Sequence, residues 1–103
     1  MILGDLIRKL SQYPKKQKVI LGFYNPHSYR GFYDQLAFEP KENTTVGEML
    51  KCAKSAVGKT FYGYKGGTYI MEEHTDVHLS EYGSTGEGIS EYLLNYMLGE
   101  YKY

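Results

Sequence analysis

Arg30, one of only two arginines in the chain, stands in the run Asn25-Pro-His-Ser-Tyr-Arg-Gly31, beside an amide, an imidazole, a hydroxyl and a phenol. A guanidinium is a planar fork of donors that matches phosphate or carboxylate, and a tyrosine ring offers a flat face to a base or sugar. The run follows the apolar segment Val19-Ile-Leu-Gly-Phe23. The sequence therefore predicts a loop leaving a strand, where a rigid element holds polar groups at fixed angles. Asn25, His27, Ser28, Tyr29 and Arg30 are candidate contacts for a small anionic, ring-bearing ligand. The same residues allow a plainer arrangement, with Arg30 buried as a structural anchor against Asp34 or Glu39.

A second candidate is Tyr64-Lys-Gly-Gly67, followed by Tyr69. Paired glycines let a backbone approach a ligand closely, and successive free amides form a small anion nest. Lys65 adds charge, Gly66 and Gly67 add donors, and Tyr64 and Tyr69 add flat surface. The alternative is a hairpin turn whose glycines only supply positive φ.

Other chemistries fit poorly. Gly58-Lys-Thr60 lacks the glycine of a P-loop at position 53, which is alanine, and it follows a helical pattern where a P-loop opens one. Gly83-Ser-Thr-Gly-Glu-Gly88 looks like a phosphate-attracting helix entry, but Glu87 puts negative charge at its mouth. His74 and His78 would share one face of an extended segment about 13 Å apart at the usual rise, with no third histidine near. Only His78-Leu-Ser80 has the spacing of a two-histidine phosphoesterase motif, and no serine-hydrolase elbow exists around Ser28, His27 and Asp34. Cys52, the single cysteine, sits mid-helix as a structural thiol. These residues point to holding a ligand rather than changing it, with no metal and no cofactor called for.

The elements that must position the candidates are readable in outline. Ile2, Leu3, Leu6, Ile7 and Leu10 recur at helical spacing until Pro14 stops them. Val19 to Tyr24 reads as a central strand. A second strand would show Tyr33, Gln35, Ala37 and Glu39 on one face and Leu36 and Phe38 on the other, ending at Pro40. Thr45-Val-Gly-Glu48 is a capping box opening a helix with Val46, Met49, Leu50, Ala53, Ala56 and Val57 as its apolar stripe and Gly58 as its stop. Lys15-Lys16-Gln17-Lys18 reads as a solvated turn. Three short strands follow around residues 60–62, 68–71 and 76–80, and Ser84-Thr-Gly-Glu87 would cap a last helix over residues 89–98, with Gly99 as its stop. Helices and strands without regular alternation predict an α+β domain with a single mostly antiparallel sheet of four to five strands and two to three helices.

Bulk properties narrow the partners. A chain of 103 residues makes one domain. Twelve basic and twelve acidic residues cancel, which disfavours a nucleic-acid polymer as partner, since such binders displace counterions with a basic excess. No apolar run approaches the roughly 20 residues of a membrane span, and Asp5, Arg8 and Lys9 interrupt the opening apolar positions, so neither a membrane nor a secretory leader is expected. One cysteine fits a reduced, cytoplasmic setting. Twelve tyrosines suit binding surfaces and subunit contacts. Ile89, Leu93 and Met97 form one apolar line of the last helix and Leu94 and Leu98 another, with Tyr92, Tyr96, Tyr101 and Tyr103 beside them. Two lines ask for two neighbours, one of them a second subunit, so a homo-oligomer is expected.

The combination of Asn25-Pro-His-Ser-Tyr-Arg-Gly31, Leu36-Ala-Phe-Glu-Pro40, Val46-Gly-Glu-Met-Leu50 and Gly63-Tyr-Lys-Gly-Gly67 resembles a group of small bacteriophage proteins related to anti-Thoeris counter-defence sponges. The resemblance covers residues 1–98. It implies a homo-oligomer in the host cytoplasm that sequesters a nucleotide immune signal without cleaving it, either a cyclic ADP-ribose isomer or a cyclic oligonucleotide of related systems such as CBASS. It directs attention to His27, Ser28, Tyr29 and Arg30 and to residues 64–67 as the ligand contacts. Two rivals predict different outcomes. An enzyme using His27 or the His74/His78 pair would degrade the same signal, and a protein–protein inhibitor would co-purify with a host factor and ignore cyclic nucleotides.

Overall fold

The computed structural model describes residues 1–63, 65–81 and 85–99. Tyr64, Ser84, Tyr101 and Tyr103, named above, lie outside the described residues, as do Tyr82 and Gly83. The chain order is α1 (Leu3–Ser11), β1 (Gly22–Ser28), β2 (Leu36–Lys41), α2 (Val46–Ala56), β3 (Thr60–Tyr62), β4 (Thr68–Ile70), β5 (Val77–Glu81), β6 (Thr85–Gly88) and α3 (Glu91–Leu98). The architecture is α+β, as the pattern predicts. The strands divide into a four-stranded sheet in the order β1-β2-β5-β6 and a separate β3–β4 hairpin. All pairings are antiparallel except β2 with β5, which is parallel. Parallel neighbours need a long crossover; here it carries α2 and the hairpin.

Alternation along the strands separates two faces of the main sheet. Phe23, Leu36, Phe38, Val77 and Leu79 are buried in one core with Leu3, Leu6 and Leu10 of α1, Met49 and Ala53 of α2, and Leu94 and Met97 of α3. The Phe23 and Phe38 rings meet at 4.2 Å between centroids. The register places His27, Ala37, His78 and Gly88 side by side across the sheet, out of step with that core row.

Four elements differ from expectation. β2 starts at Leu36, so Tyr33 and Gln35 precede it, and it runs through Pro40 to Lys41. Val19 to Leu21 are not strand: the Val19 amide donates to Thr44 O, and the Ile20 and Leu21 amides both donate to Met97 O at the end of α3. β1 starts at Gly22 and runs on through Ser28, so the residues 25–28 expected in a loop belong to the strand. They do so through a bulge between Tyr24 and His27, where Asn25 and Pro26 oppose one residue of β2. Asn25 takes φ +51, a region that asparagine tolerates better than other non-glycine residues, and a proline is accommodated at a bulge on an edge strand. The segment expected to cap the last helix instead contains β6, and the cap is Ser90, whose hydroxyl accepts from the Leu93 amide at 3.1 Å.

The last helix hides both of its apolar lines within one protomer: Leu94, Met97 and Leu98 are buried and Leu93 is half-buried. A second subunit is not required to cover them. Among the described residues, no helix is long and apolar enough to cross a membrane.

The capping box of α2 is present as read. Thr45 accepts from the Glu48 amide at 3.3 Å, and the Glu48 carboxylate accepts from the Thr45 amide at 3.4 Å. The Thr44 hydroxyl also donates to that carboxylate; this bond first, then the Thr45 amide, holds the Glu48 carboxyl below its usual range. Thr45→Ala is expected to lower the unfolding free energy by about 1 kcal/mol, the usual worth of a lost N-cap. A urea denaturation curve with unchanged slope and a lower midpoint is the check.

Candidate ligand-binding site

The β1–β2 loop, residues 29–35, is closed on itself before any ligand is considered. Ser28 is buried, and its hydroxyl donates to Tyr33 O at 2.6 Å. The Tyr29 amide donates to Gln35 O at 2.8 Å, and the Gln35 amide donates to Phe32 O at 2.9 Å. Gly31 is needed here, because a Cβ would lie 2.6 Å from the Tyr29 ring. Ser28 thus fixes the loop, while Arg30, Gly31 and Phe32 are exposed at its tip.

Tyr29 turns back onto the sheet. Its ring stacks on His78 with centroids 3.9 Å apart and an interplanar angle of 5°, and its hydroxyl reaches Gly86 O at 3.4 Å. His78 Nε2 donates to Gln35 Oε1 at 2.6 Å, which leaves Nδ1 unprotonated in the neutral ring. Among the described residues, Nδ1 is buried without a partner. Burial pushes the His78 pKa down, and the nearby Asp76 carboxylate opposes that only in part. The ring atom left to accept a proton, Nδ1, is buried, which makes this imidazole a poor general base for a bound ligand. His74 does not join it: His74 lies in the turn closed by the Thr75 amide on Glu72 O, so the two do not share an extended face.

Asn25 and His27 belong to the edge strand. Asn25 Nδ2 donates to Glu39 Oε2 at 2.8 Å, and His27 Nδ1 lies 3.1 Å from Asn25 O. Glu39 therefore pairs with an amide across the bulge. Arg30 is not interred, contrary to the alternative of a buried anchor.

The hairpin turn meets the loop through Tyr33. A Cβ on Gly63 would lie 2.9 Å from the Tyr33 ring, so the missing side chain lets that ring approach the turn's backbone. Tyr33 also meets Tyr69 edge-on at 6.1 Å and 63°. Gly66 and Gly67 have φ of +103 and +86. Gly66 donates its amide to Gly63 O at 3.0 Å, and Gly63 donates to Gly67 O at 3.0 Å. The turn reading of the glycines therefore holds, and the Gly66 amide is engaged within the turn instead of being offered to a nest. Lys65 is exposed.

The structure thus brings the Ser28–Tyr33 loop and the 63–69 hairpin into contact, and sets Asn25 and His27 apart on the β1 edge. The residues that join the parts are Tyr33, Gln35 and His78, which sequence reasoning did not select as site residues. The sequence pattern puts Tyr33 and Gln35 on one face of the second strand, whereas both lie in the loop before β2. The cavities on α2, beside α1 and Glu91, and between Lys18 and Thr45 do not include residues 25–35 or 63–69 in their linings. No cluster of three His, Cys, Asp or Glu suited to a metal occurs among the described residues. Comparison with known protein families, curated proteins and solved structures gave no match.

The stack makes a pH prediction. The folded pKa of His78 lies below the unfolded value of about 6.5, so the unfolded chain binds the extra proton first. This contribution to stability is complete above about pH 6.5 and is lost as pH falls through that value toward the folded pKa. The urea midpoint should drop between neutral pH and mild acid, and His78→Phe, which keeps a ring under Tyr29, should flatten that drop.

Proposed function

We propose that this protein binds and sequesters a small phosphorylated, ring-bearing signal and releases it unaltered, as a phage immune-evasion protein acting on a cyclic ADP-ribose isomer or cyclic oligonucleotide in the host cytoplasm. The observation that carries this reading is the junction at Tyr33, which joins the loop bearing exposed Arg30 to the hairpin bearing exposed Lys65. Two cations on loops with a common aromatic base suit a ligand with a pyrophosphate and a base. Arg30 and Lys65 are both exposed, so a ligand held against them would be enclosed by a second subunit. We therefore place the ligand between subunits of a homo-oligomer. The burial of His78 Nδ1, the ring nitrogen left to accept a proton once Nε2–H is given to Gln35, supports holding over catalysis.

A sponge acts by stoichiometry, so its dissociation constant must lie below the signal concentration; nanomolar binding corresponds to roughly −12 kcal/mol. The test is to incubate the protein with a cyclic ADP-ribose isomer or a cyclic oligonucleotide, denature it by heat and identify the released compound by mass spectrometry. Intact ligand in molar proportion to protein is expected; a cleaved product overturns the reading. Arg30→Ala is expected to weaken binding by roughly 1.5–3 kcal/mol in calorimetry, the worth of a charge-assisted contact. Co-purification of a host protein with no cyclic-nucleotide binding would favour an inhibitor of a host factor.

A further inference from the structure

A cavity of about 530 Å³ lies on α2 and is lined by Lys15, Gly47, Leu50, Lys51, Lys54 and Ser55. The five α2 positions recur at the three- and four-residue spacing of one helical stripe. The opposite wall is the turn after α1, held by two backbone bonds: the Val46 amide donates to Gln17 O and the Gly47 amide to Lys15 O, each at 2.9 Å. Gly47 permits this approach, since a Cβ there would lie 2.9 Å from the Lys15 carbonyl oxygen. These bonds also engage two amides of the first turn of α2. What the groove offers a ligand is side-chain charge, not the end of a helix.

Three ammonium groups border the groove and no carboxylate does. Glu48, the nearest acid in sequence on α2, is held by Thr44 and Thr45. Among the described residues the ion pairs are Arg8–Asp5 and Lys9–Glu91, and neither involves these lysines. In a chain whose total charge is zero, three uncompensated cations around one cavity are a local excess. Like charges so placed raise one another's energy, and a polyanion relieves them. The Ser55 hydroxyl donates to Cys52 O at 2.7 Å, so the lysines supply the donors. Leu50 supplies an apolar lining, and the volume is that of a small-molecule site.

We propose that this groove is a second anion site, independent of the 29–35 loop, that takes a small molecule carrying two or more phosphate groups, with phosphates among Lys15, Lys51 and Lys54 and any apolar part against Leu50. The test titrates inorganic triphosphate, and separately adenosine triphosphate, into the isotopically labelled full chain at constant ionic strength while amide shifts are followed. Saturable shifts are expected at Lys15, Gly47, Lys51 and Lys54. The double variant Lys51→Gln/Lys54→Gln should weaken binding about tenfold or more, as two charge-assisted contacts imply. Gly47→Ala, which keeps every charge but displaces Lys15, should weaken it less, and Arg30→Ala should leave it unchanged. Absence of saturable shifts at millimolar triphosphate, unchanged affinity in the double variant, or shifts confined to the 29–35 loop would overturn the proposal. Tighter binding of a polyglutamate peptide than of triphosphate would also overturn it, by making the groove a surface for an acidic polypeptide.

Discussion

The Tyr29–His78 stack decides how the β1–β2 loop lies on the sheet. His78 is in register with Ala37 on β2 and Gly88 on β6, two residues too small to compete for the space above it. The imidazole takes Tyr29 on its face and Gln35 on its Nε2 edge, so the two ends of one loop are anchored on a single ring. Burial favours the neutral ring, and the Gln35 Oε1 acceptor selects the tautomer that carries its proton on Nε2. Fold, protonation state and loop position are one interaction seen from three sides.

Anchoring both ends changes what the tip can do. A seven-residue loop loses conformational entropy whenever a ligand orders it, and a loop already ordered at its base loses less. The Ser28 hydroxyl on Tyr33 O and the Tyr33 ring against Gly63 extend that order to the hairpin. Arg30 is thereby presented from a framed position, while Phe32 stays 63% exposed beside it. An exposed ring next to a cation has the character of a contact surface for a base or for another subunit.

The parts of this molecule legible in the sequence are those whose cause is local. The capping box at Thr45 and Glu48 and the Gly58 and Gly99 stops depend on a few neighbouring residues, and each lies where the pattern puts it. The misread parts depend on distant partners. Val19 to Leu21 look like strand from composition, but Thr44 and the end of α3 supply their hydrogen-bond acceptors. Pro26 reads as a strand breaker, yet an edge position and a left-handed Asn25 accommodate it in a bulge. Pro40 lies within β2, past Phe38, the last residue that β5 pairs with in parallel. Glycines 86 and 88 suggest a helix entry, but Gly86 fits β6 against β5, where a Cβ would come 2.1 Å from Leu79 O. The site followed the same division. Arg30 and Lys65 could be picked out as exposed cations from type and neighbourhood, whereas the role of His78 required knowing which strand lies beside Ala37.

Neutrality then constrains what such a surface recognises. Long-range attraction falls off within about 8 Å at physiological salt, so a chain with no net charge gathers anions only through its local groups. Several cations already have other company: Arg8 pairs with Asp5, Lys9 lies 4.0 Å from Glu91, and Lys41 and Lys59 sit over the rings of Tyr24 and Phe61 at 5.5 and 5.4 Å. Other cation groupings are small: Arg30 and Lys65 on the joined loops, and Lys51 and Lys54 of α2 with Lys15 facing them from the turn after α1. A duplex rewards many phosphate contacts spread along a track, with a salt dependence that grows with their number. A compact polyphosphorylated molecule needs only two or three contacts converging on one spot. The distribution of charge, more than its total, is therefore what the proposal of a small ligand rests on.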